Sequence, residues 1–69
     1  MKSISGKGLA KIVENHGWEL LRTTGSHSIY GKGGSTVRLS IPIHANTPLK
    51  IGLLRHLMKM AGLQETDLE

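Results

Sequence analysis

The stretch WELLRTTGSHSIYGKGGSTVRLSI, residues 18–41, decides the fold class of this chain. Three short runs within it are rich in strand-forming side chains: residues 18–23, 27–30 and 36–41. The turn residues Thr24 to Ser26 and the glycine-rich loop 31–35 separate them. Consecutive strands joined by short connections predict an antiparallel three-stranded sheet with one apolar, covered face. Pro42 is expected to end the sheet pairing.

The segment before this stretch has the pattern of an amphipathic helix. Leu9, Ile12 and Val13 recur at spacings of three and four, with charged residues between them. Ser5 is a suitable N-cap, and Gly17 suits the position just after the helix. The pattern predicts a first helix from about residue 6 to residue 16.

The segment after the strands predicts a second helix. Thr47 followed by Pro48 indicates an N-cap and a first helical residue, and Gly62 ends the helix. The apolar stripe of this helix consists of Ile51, Leu54, Leu57, Met58 and Ala61. The order helix, three strands, helix predicts a two-layer α+β fold with both helices on one face of the sheet. The whole chain, residues 1–69, is expected to form one domain.

Charge is unevenly distributed along the chain. The formal net charge is +4 and the sequence pI is about 9.9, which makes a polyanion the first partner to consider. Three of the five acidic residues lie in the last five positions, so residues 1–64 carry +7. We expect an acidic, frayed tail at about residues 64–69 and a more basic folded part. Many small proteins that do not bind nucleic acid are also basic.

Other features narrow the function classes. The chain has no cysteine, so it forms neither a disulfide framework nor a thiolate metal site. The histidines lack metal-site spacing and the few carboxylates are scattered, so we expect no metal and no cofactor. No apolar run approaches the roughly 18 residues that cross a membrane, and the first residues lack the apolar stretch of a signal peptide. A soluble, cytoplasmic protein is expected.

Histidine is the side chain best suited to proton transfer near neutral pH, and there are four. His16 closes the first helix and His56 lies off the apolar stripe of the second, so both are read as structural or solvated. His44, after the third strand, could cap, contact phosphate or have no role. His27 follows Gly25 and Ser26 at a strand start, where by itself a structural role is more common than a catalytic one.

The basic residues are compatible with phosphate binding. Lys7 and Lys11 lie one turn apart on the first helix, and Lys50 lies at the start of the second, with Arg55 and Lys59 beyond it. A helix N-terminus with a nearby lysine suits a phosphate, although an ordinary solvated helix face is an equal alternative.

Aromatic residues are too few for the stacking platforms that bind single-stranded RNA. There is one Trp, one Tyr and no Phe. Trp18 is expected in the core, whereas Tyr30 could stack on a base or cover the sheet.

Taken in order, short motifs along the chain resemble those of the HicA toxin family over about residues 5–63. They are Ser5-Gly6-Lys7, Gly17-Trp18, Arg22, Gly25-Ser26-His27, Ile29-Tyr30, Pro42, His44, Leu49-Lys50, Gly52, Leu54-Arg55 and Ala61-Gly62-Leu63. Each fragment alone is unspecific, but their order and spacing are specific.

The resemblance implies a double-stranded-RNA-binding-domain-like fold and an mRNA interferase whose active-site histidine is His27. It also implies a bacterial toxin-antitoxin system, with a HicB-like antitoxin that covers the active site. The residue after the histidine, often a second histidine in relatives, is Ser28. Candidates for RNA or phosphate binding are Lys7, Arg22, Ser26, Arg38, Lys50 and Arg55, with Ser26 orienting the histidine or capping the turn.

Two other function classes remain open at this point. One is a non-catalytic RNA-binding module on the same fold, and the other is a protein-interaction module for an acidic partner. His27 separates the nuclease from both, because only a nuclease loses an activity when that imidazole is removed. Cleavage preference, ribosome dependence and oligomeric state are not encoded in any recognisable pattern.

Overall fold

The computed structural model describes residues 2–68. The elements in chain order are α1 (Gly6–Asn15), β1 (Glu19–Thr24), β2 (His27–Gly31), β3 (Arg38–Pro42), α2 (Ile51–Ala61) and a C-terminal 3-10 helix (Glu65–Leu68). The helix, three strands, helix order confirms the expected α+β fold.

The sheet is antiparallel in the order β1-β2-β3, with β2 in the centre. Along β3 the buried Leu39 and Ile41 alternate with exposed residues, as the sequence predicts. We call the face of the sheet that contains these two side chains the covered face, because α1 and α2 pack on it. The opposite face, which no element of residues 2–68 covers, is called the open face.

The pairing of β2 with β3 extends slightly further than the sequence predicts. Pro42 lies opposite His27, and the next backbone N–H, of Ile43, donates to the Ser26 carbonyl oxygen at 2.7 Å. This bond makes His27 and Pro42 a non-hydrogen-bonded pair, in which the proline nitrogen faces the outer edge of the sheet. Pro42 is the last paired residue of β3, as expected, although the strand includes it rather than stopping at residue 41.

One apolar core lies between the helices and the covered face. Its buried members are Leu9, Ala10, Val13, Trp18, Tyr30, Leu39, Ile41, Leu54, Leu57, Met58 and Leu68. Trp18 is in the core, as expected.

The limits of α1 agree with its sequence signals. The Ser5 hydroxyl accepts a hydrogen bond from the Gly8 N–H at 3.1 Å, which confirms Ser5 as the N-cap. At the other end, Gly17 has a φ of 94°, in the region that favours glycine.

The start of α2 differs from its sequence signals. The helix begins at Ile51 with Lys50 as the N-cap residue, so the assignment of Thr47 and Pro48 was wrong. The preceding segment is extended instead, because Pro48 forms a bridge with Ser5 and the Leu49 N–H donates to the Ile4 carbonyl oxygen at 2.8 Å. Ile51 is consequently half exposed rather than part of the buried stripe. Gly62, with a φ of 72°, ends the helix as predicted.

The acidic end of the chain is folded over residues 65–68, so the expectation of a frayed tail was wrong there. Leu68 is buried in the core. Asp67 accepts a hydrogen bond from the Gln64 N–H at 2.7 Å and lies 3.8 Å from His16 Nε2 at the end of α1. The apolar side chain of Leu68 holds this acidic segment against the first helix. Glu69 lies outside the described residues.

Candidate functional site

His27 is the first residue of β2 and its side chain is exposed. It lies opposite Thr24 of β1 and opposite Pro42 of β3, so a strand flanks it on each side. The two-residue turn before it has Gly25 at a φ of 59°, a conformation that glycine adopts without strain. Because side chains alternate along β2 and Tyr30 is on the covered face, His27 lies on the open face.

A β-bulge in β1 places Arg22 on the same face as His27. Leu20 pairs with Tyr30 and Arg22 pairs with Ile29, so Leu21 is the extra residue. In a regular ladder Arg22 would lie opposite Ser28, on the covered face. With the bulge it is diagonal to His27 across the two strands, where side chains are about 7–8 Å apart. Arg22 is therefore the candidate cation that the structure brings nearest to His27 by register.

Arg38 shares the open face but is not near His27. It pairs with Gly31, about 13 Å along the strand from Pro42 at the usual rise of β structure. Its guanidinium donates to the carbonyl oxygens of Ser35 at 3.3 Å and Val37 at 3.0 Å. These bonds hold Arg38 against the loop before β3.

Ser26 lies in the turn and is exposed. Its carbonyl oxygen, as described above, accepts the Ile43 N–H and so ties the turn to the loop after β3. No hydrogen bond of its hydroxyl is present within residues 2–68. The expected orienting or capping role of this hydroxyl has no support in the contacts of the described residues.

Lys7 lies on the other side of the molecule, along an open groove of about 710 Å³ between α1 and β2. We call this the α1 groove; its lining residues are Lys7, Ala10, Lys11, Glu14, Ser28, Tyr30, Ile43, Ala45 and Asn46. At its base the Tyr30 hydroxyl donates to Glu14 Oε2 at 2.6 Å. Burial of the phenol, together with this hydrogen bond and the negative charge of Glu14, raises the pKa of Tyr30 to about 12.

The two candidates from the second helix occupy a third area. Lys50, the N-cap residue of α2, borders a recess of about 220 Å³ together with His44 and Leu53. Arg55 is exposed on α2 without a hydrogen bond or ion pair within residues 2–68. The candidate residues thus lie on the open face, in the turn before β2, in the α1 groove and on α2.

The Glu14–Tyr30 hydrogen bond and the position of Asn46 in the groove were not predicted from the sequence. The spacing of positions 7, 11 and 14 places them on one side of a helix, and this spacing could have predicted that the three side chains line one surface. Tyr30 is 3% exposed, so it does not offer its ring to a base.

Metal-ligand geometry is absent from the described part of the chain. No group of three or more His, Asp or Glu side chains in residues 2–68 is arranged to hold an ion. No helix in this range is long and apolar enough to cross a membrane.

The fold and the open-face histidine define a small basic α+β protein with an exposed imidazole on an uncovered sheet face. The model of the HicA toxin family of bacterial toxin-antitoxin systems matches residues 6–63, most of the chain. The chain belongs to the HicA toxin family, which confirms the resemblance and gives the protein a toxin role with an antitoxin partner. The search of curated proteins found no match.

Proposed function

We propose that this toxin is an mRNA interferase, a metal-independent endoribonuclease that cleaves RNA with His27 and so inhibits translation and growth. The observation that carries the proposal is the position of His27, an exposed imidazole on the open face with a strand on each side. Family membership supports the choice of a toxin activity. Proton transfer by a well-placed histidine is the chemistry that this position offers.

The reaction is an attack of the ribose 2′-oxygen on the adjacent phosphorus. His27 takes the 2′-hydroxyl proton as the new oxygen–phosphorus bond forms, and the bond to the 5′-oxygen breaks. The departing 5′-oxygen then receives a proton, from the same imidazole or from water. Arg22 is the nearest candidate by register to neutralise the charge that develops on the phosphoryl oxygens.

The remaining candidates bind RNA at a distance from the cleaved bond. Lys7 acts from the α1 groove, Lys50 and Arg55 from α2, and Arg38 and Ser26 from the sheet and its turn. All of them contribute through phosphate contacts, which position RNA without reading its sequence. We further propose that the chain is one cytoplasmic bacterial domain and that a HicB-like antitoxin silences it by covering the open face around His27.

The direct test is His27→Ala compared with His56→Ala, which removes a second exposed imidazole from α2. RNA cleavage by His27→Ala should be slower by about a hundredfold or more, the usual size of a general acid–base contribution. His56→Ala should cleave at the parent rate. Because His27 is exposed, the thermal midpoint should change little, and circular dichroism checks this. Expression of His27→Ala should permit growth where the parent arrests it.

Each outcome assigns a different function. Folded His27→Ala that cleaves at the parent rate removes His27 from the mechanism and makes His44 the next candidate. A parent protein that binds RNA but never cleaves it is a non-catalytic RNA-binding module. Loss of cleavage in EDTA, restored by magnesium or manganese, contradicts the metal-independent mechanism.

A further inference from the structure

The α1 groove lies on the opposite side of the sheet from His27 and plays no part in the proton transfers. Lys7, Lys11 and Glu14 follow one another along its helical wall at intervals of about 6 and 4.5 Å along the axis. Ser28 and Tyr30 of β2 form the facing side, and Asn46 of the loop after β3 also lines the groove.

The positive charges of the two lysines on this wall are not neutralised by an ion pair within residues 2–68. Like charges one turn apart on a helix repel each other. The nearby Glu14 already accepts the Tyr30 hydroxyl. An anion between Lys7 and Lys11 would relieve the repulsion.

The groove has apolar as well as polar lining residues. Ala10, Ile43 and Tyr30 are among its lining residues, and Ser28 and Asn46 offer groups that donate and accept hydrogen bonds. The volume of about 710 Å³ lies within the usual range of small-ligand sites, about 300–1,000 Å³. A phosphate at one end, apolar lining residues and adaptable polar groups together fit a nucleotide.

We propose that the α1 groove binds one nucleotide of single-stranded RNA, with a phosphate between Lys7 and Lys11 and the base directed toward Glu14. This inference rests on the proposed RNA substrate. Glu14 sets the direction, because it repels a phosphate and its second carboxylate oxygen accepts hydrogen bonds from base N–H groups. An acidic peptide would instead place a carboxylate against Glu14, so the groove favours a nucleotide.

The groove nucleotide belongs to the strand that His27 cleaves. Ser28 lines the groove and His27 precedes it, so their Cα atoms are about 3.8 Å apart while their side chains point to opposite faces. One end of the sheet separates His27 from the groove. It is formed by the turn before β2 and the loop after β3, which the Ser26–Ile43 hydrogen bond joins. RNA crossing this end reaches both sites.

The test uses the His27→Ala background, so that RNA is bound without being cut. Binding of a fluorescein-labelled ten-nucleotide RNA is measured by anisotropy for Lys7→Gln/Lys11→Gln and for the charge-matched control Lys2→Gln/Lys32→Gln. The groove variant should bind about tenfold more weakly and lose about 0.7 from the slope of log K against log salt, the value for one phosphate. The control should bind within about threefold of the parent. Lys7→Arg/Lys11→Arg should bind as the parent does.

A second measurement locates the nucleotide. Titration with adenosine 3′,5′-bisphosphate should shift the backbone amide resonances of Lys11, Ser28 and Asn46, and these shifts should disappear in Lys7→Gln/Lys11→Gln. Equal weakening in the two glutamine pairs, or shifts confined to other residues, overturns the inference. So does a glutamate nonapeptide that shifts the same resonances at lower concentration than the bisphosphate, since the groove would then serve an acidic peptide.

Failure of this inference is distinct from failure of the proposed function. Cleavage that depends on His27, combined with groove variants that bind RNA like the control pair, refutes only the groove site. Binding of the bisphosphate in the groove of a protein that never cleaves RNA refutes only the nuclease.

Discussion

Tyr30 shows how one side chain serves both the core and the groove. Its ring is among the buried residues of the sheet, while its hydroxyl reaches Glu14 at the surface. A phenol in this position is stable in its neutral, donating form, because ionisation would place a negative charge in an apolar setting beside a carboxylate. The hydrogen bond therefore fixes the Glu14 side chain at the base of the groove.

The titration of Tyr30 is directly measurable, because it is the only tyrosine of the chain. Absorbance at the phenolate band should give a midpoint near pH 12, against the ordinary value of 10.0. Glu14→Gln removes the negative charge and should bring the midpoint part of the way back. A midpoint at the ordinary value in the folded parent would contradict the buried hydroxyl.

The same shift predicts how stability depends on pH. The folded pKa lies above the unfolded one, so the contribution of Tyr30 is complete below pH 10 and is lost as the pH rises toward 12. The free energy of unfolding should fall more steeply over this interval for the parent than for Tyr30→Phe, measured by urea unfolding. Parallel pH profiles for the two proteins would rule this linkage out.

The candidate site was predictable from the sequence only in part. The Gly25-Ser26 turn is a local signal, so the placement of His27 at a strand start agreed with the structure. The neighbourhood of His27 depends on the bulge at Leu21, because the bulge moves the Arg22 side chain from the covered face to the open face. A bulge is decided by pairing with another strand, and the residues of β1 alone carry no mark of it.

At the scale of elements, the start of α1 lies very close to the end of β3. A Cβ atom placed on Gly6 would lie 1.8 Å from the Pro42 carbonyl oxygen, a backbone atom that cannot turn aside. Only glycine permits the helix to start this close to the strand. The start of α1 and the end of the sheet that carries His27 are thereby held in fixed relation.

Gly6→Ala should therefore destabilise the protein by about 3 kcal/mol or more, at the upper end of overpacking effects. The matched control is Gly52→Ala in α2, where nothing lies within 4 Å of the added methyl group. This control should be neutral or stabilise the protein by up to about 1 kcal/mol, since alanine favours helix over glycine. Urea unfolding measures both, and similar changes in the two variants would refute the close contact.

The helices also show which element limits the sequence specifies. Ser5 and Gly62 act through bonds and backbone angles within a few residues, and both were predicted correctly. Thr47 and Pro48 have equally good helix-start chemistry, yet Pro48 pairs with Ser5, more than forty positions earlier in the chain. The long-range pairing of Pro48 with Ser5 therefore outweighs the local capping preference of Thr47 and Pro48, and α2 begins later in the chain.

The C-terminal 3-10 helix is held by an apolar contact more than by its ion pair. Leu68 is buried, so Leu68→Ala should cost about 2 kcal/mol of stability. Asp67→Asn keeps an oxygen for the Gln64 N–H but removes the charge opposite His16, and because both side chains are partly exposed it should cost less than about 1 kcal/mol. Thermal unfolding of the two variants compares them. A larger loss from Asp67→Asn would make the ion pair the principal contact.

At the scale of the whole molecule, basic side chains lie on both sides of the sheet. Asp67 of the 3-10 helix lies beside His16 at the C-terminal end of α1, whereas Lys7 lies in the first turn of α1 and Lys11 near its middle. Arg22 and Arg38 add positive charge to the open face. A polyanion therefore meets cations on both sides of the sheet.

Binding of RNA by the His27→Ala protein should accordingly depend steeply on salt. Each phosphate contact on a single strand contributes about −0.7 to the slope of log K against log salt, so roughly three contacts give a slope near −2. The +7 charge of residues 1–64 supplies enough cations for such contacts. Anisotropy titrations between low and moderate salt measure the slope. Because only released counterions produce this dependence, a flat profile would mean that RNA is held by base or apolar contacts and that the basic surface is not its binding site.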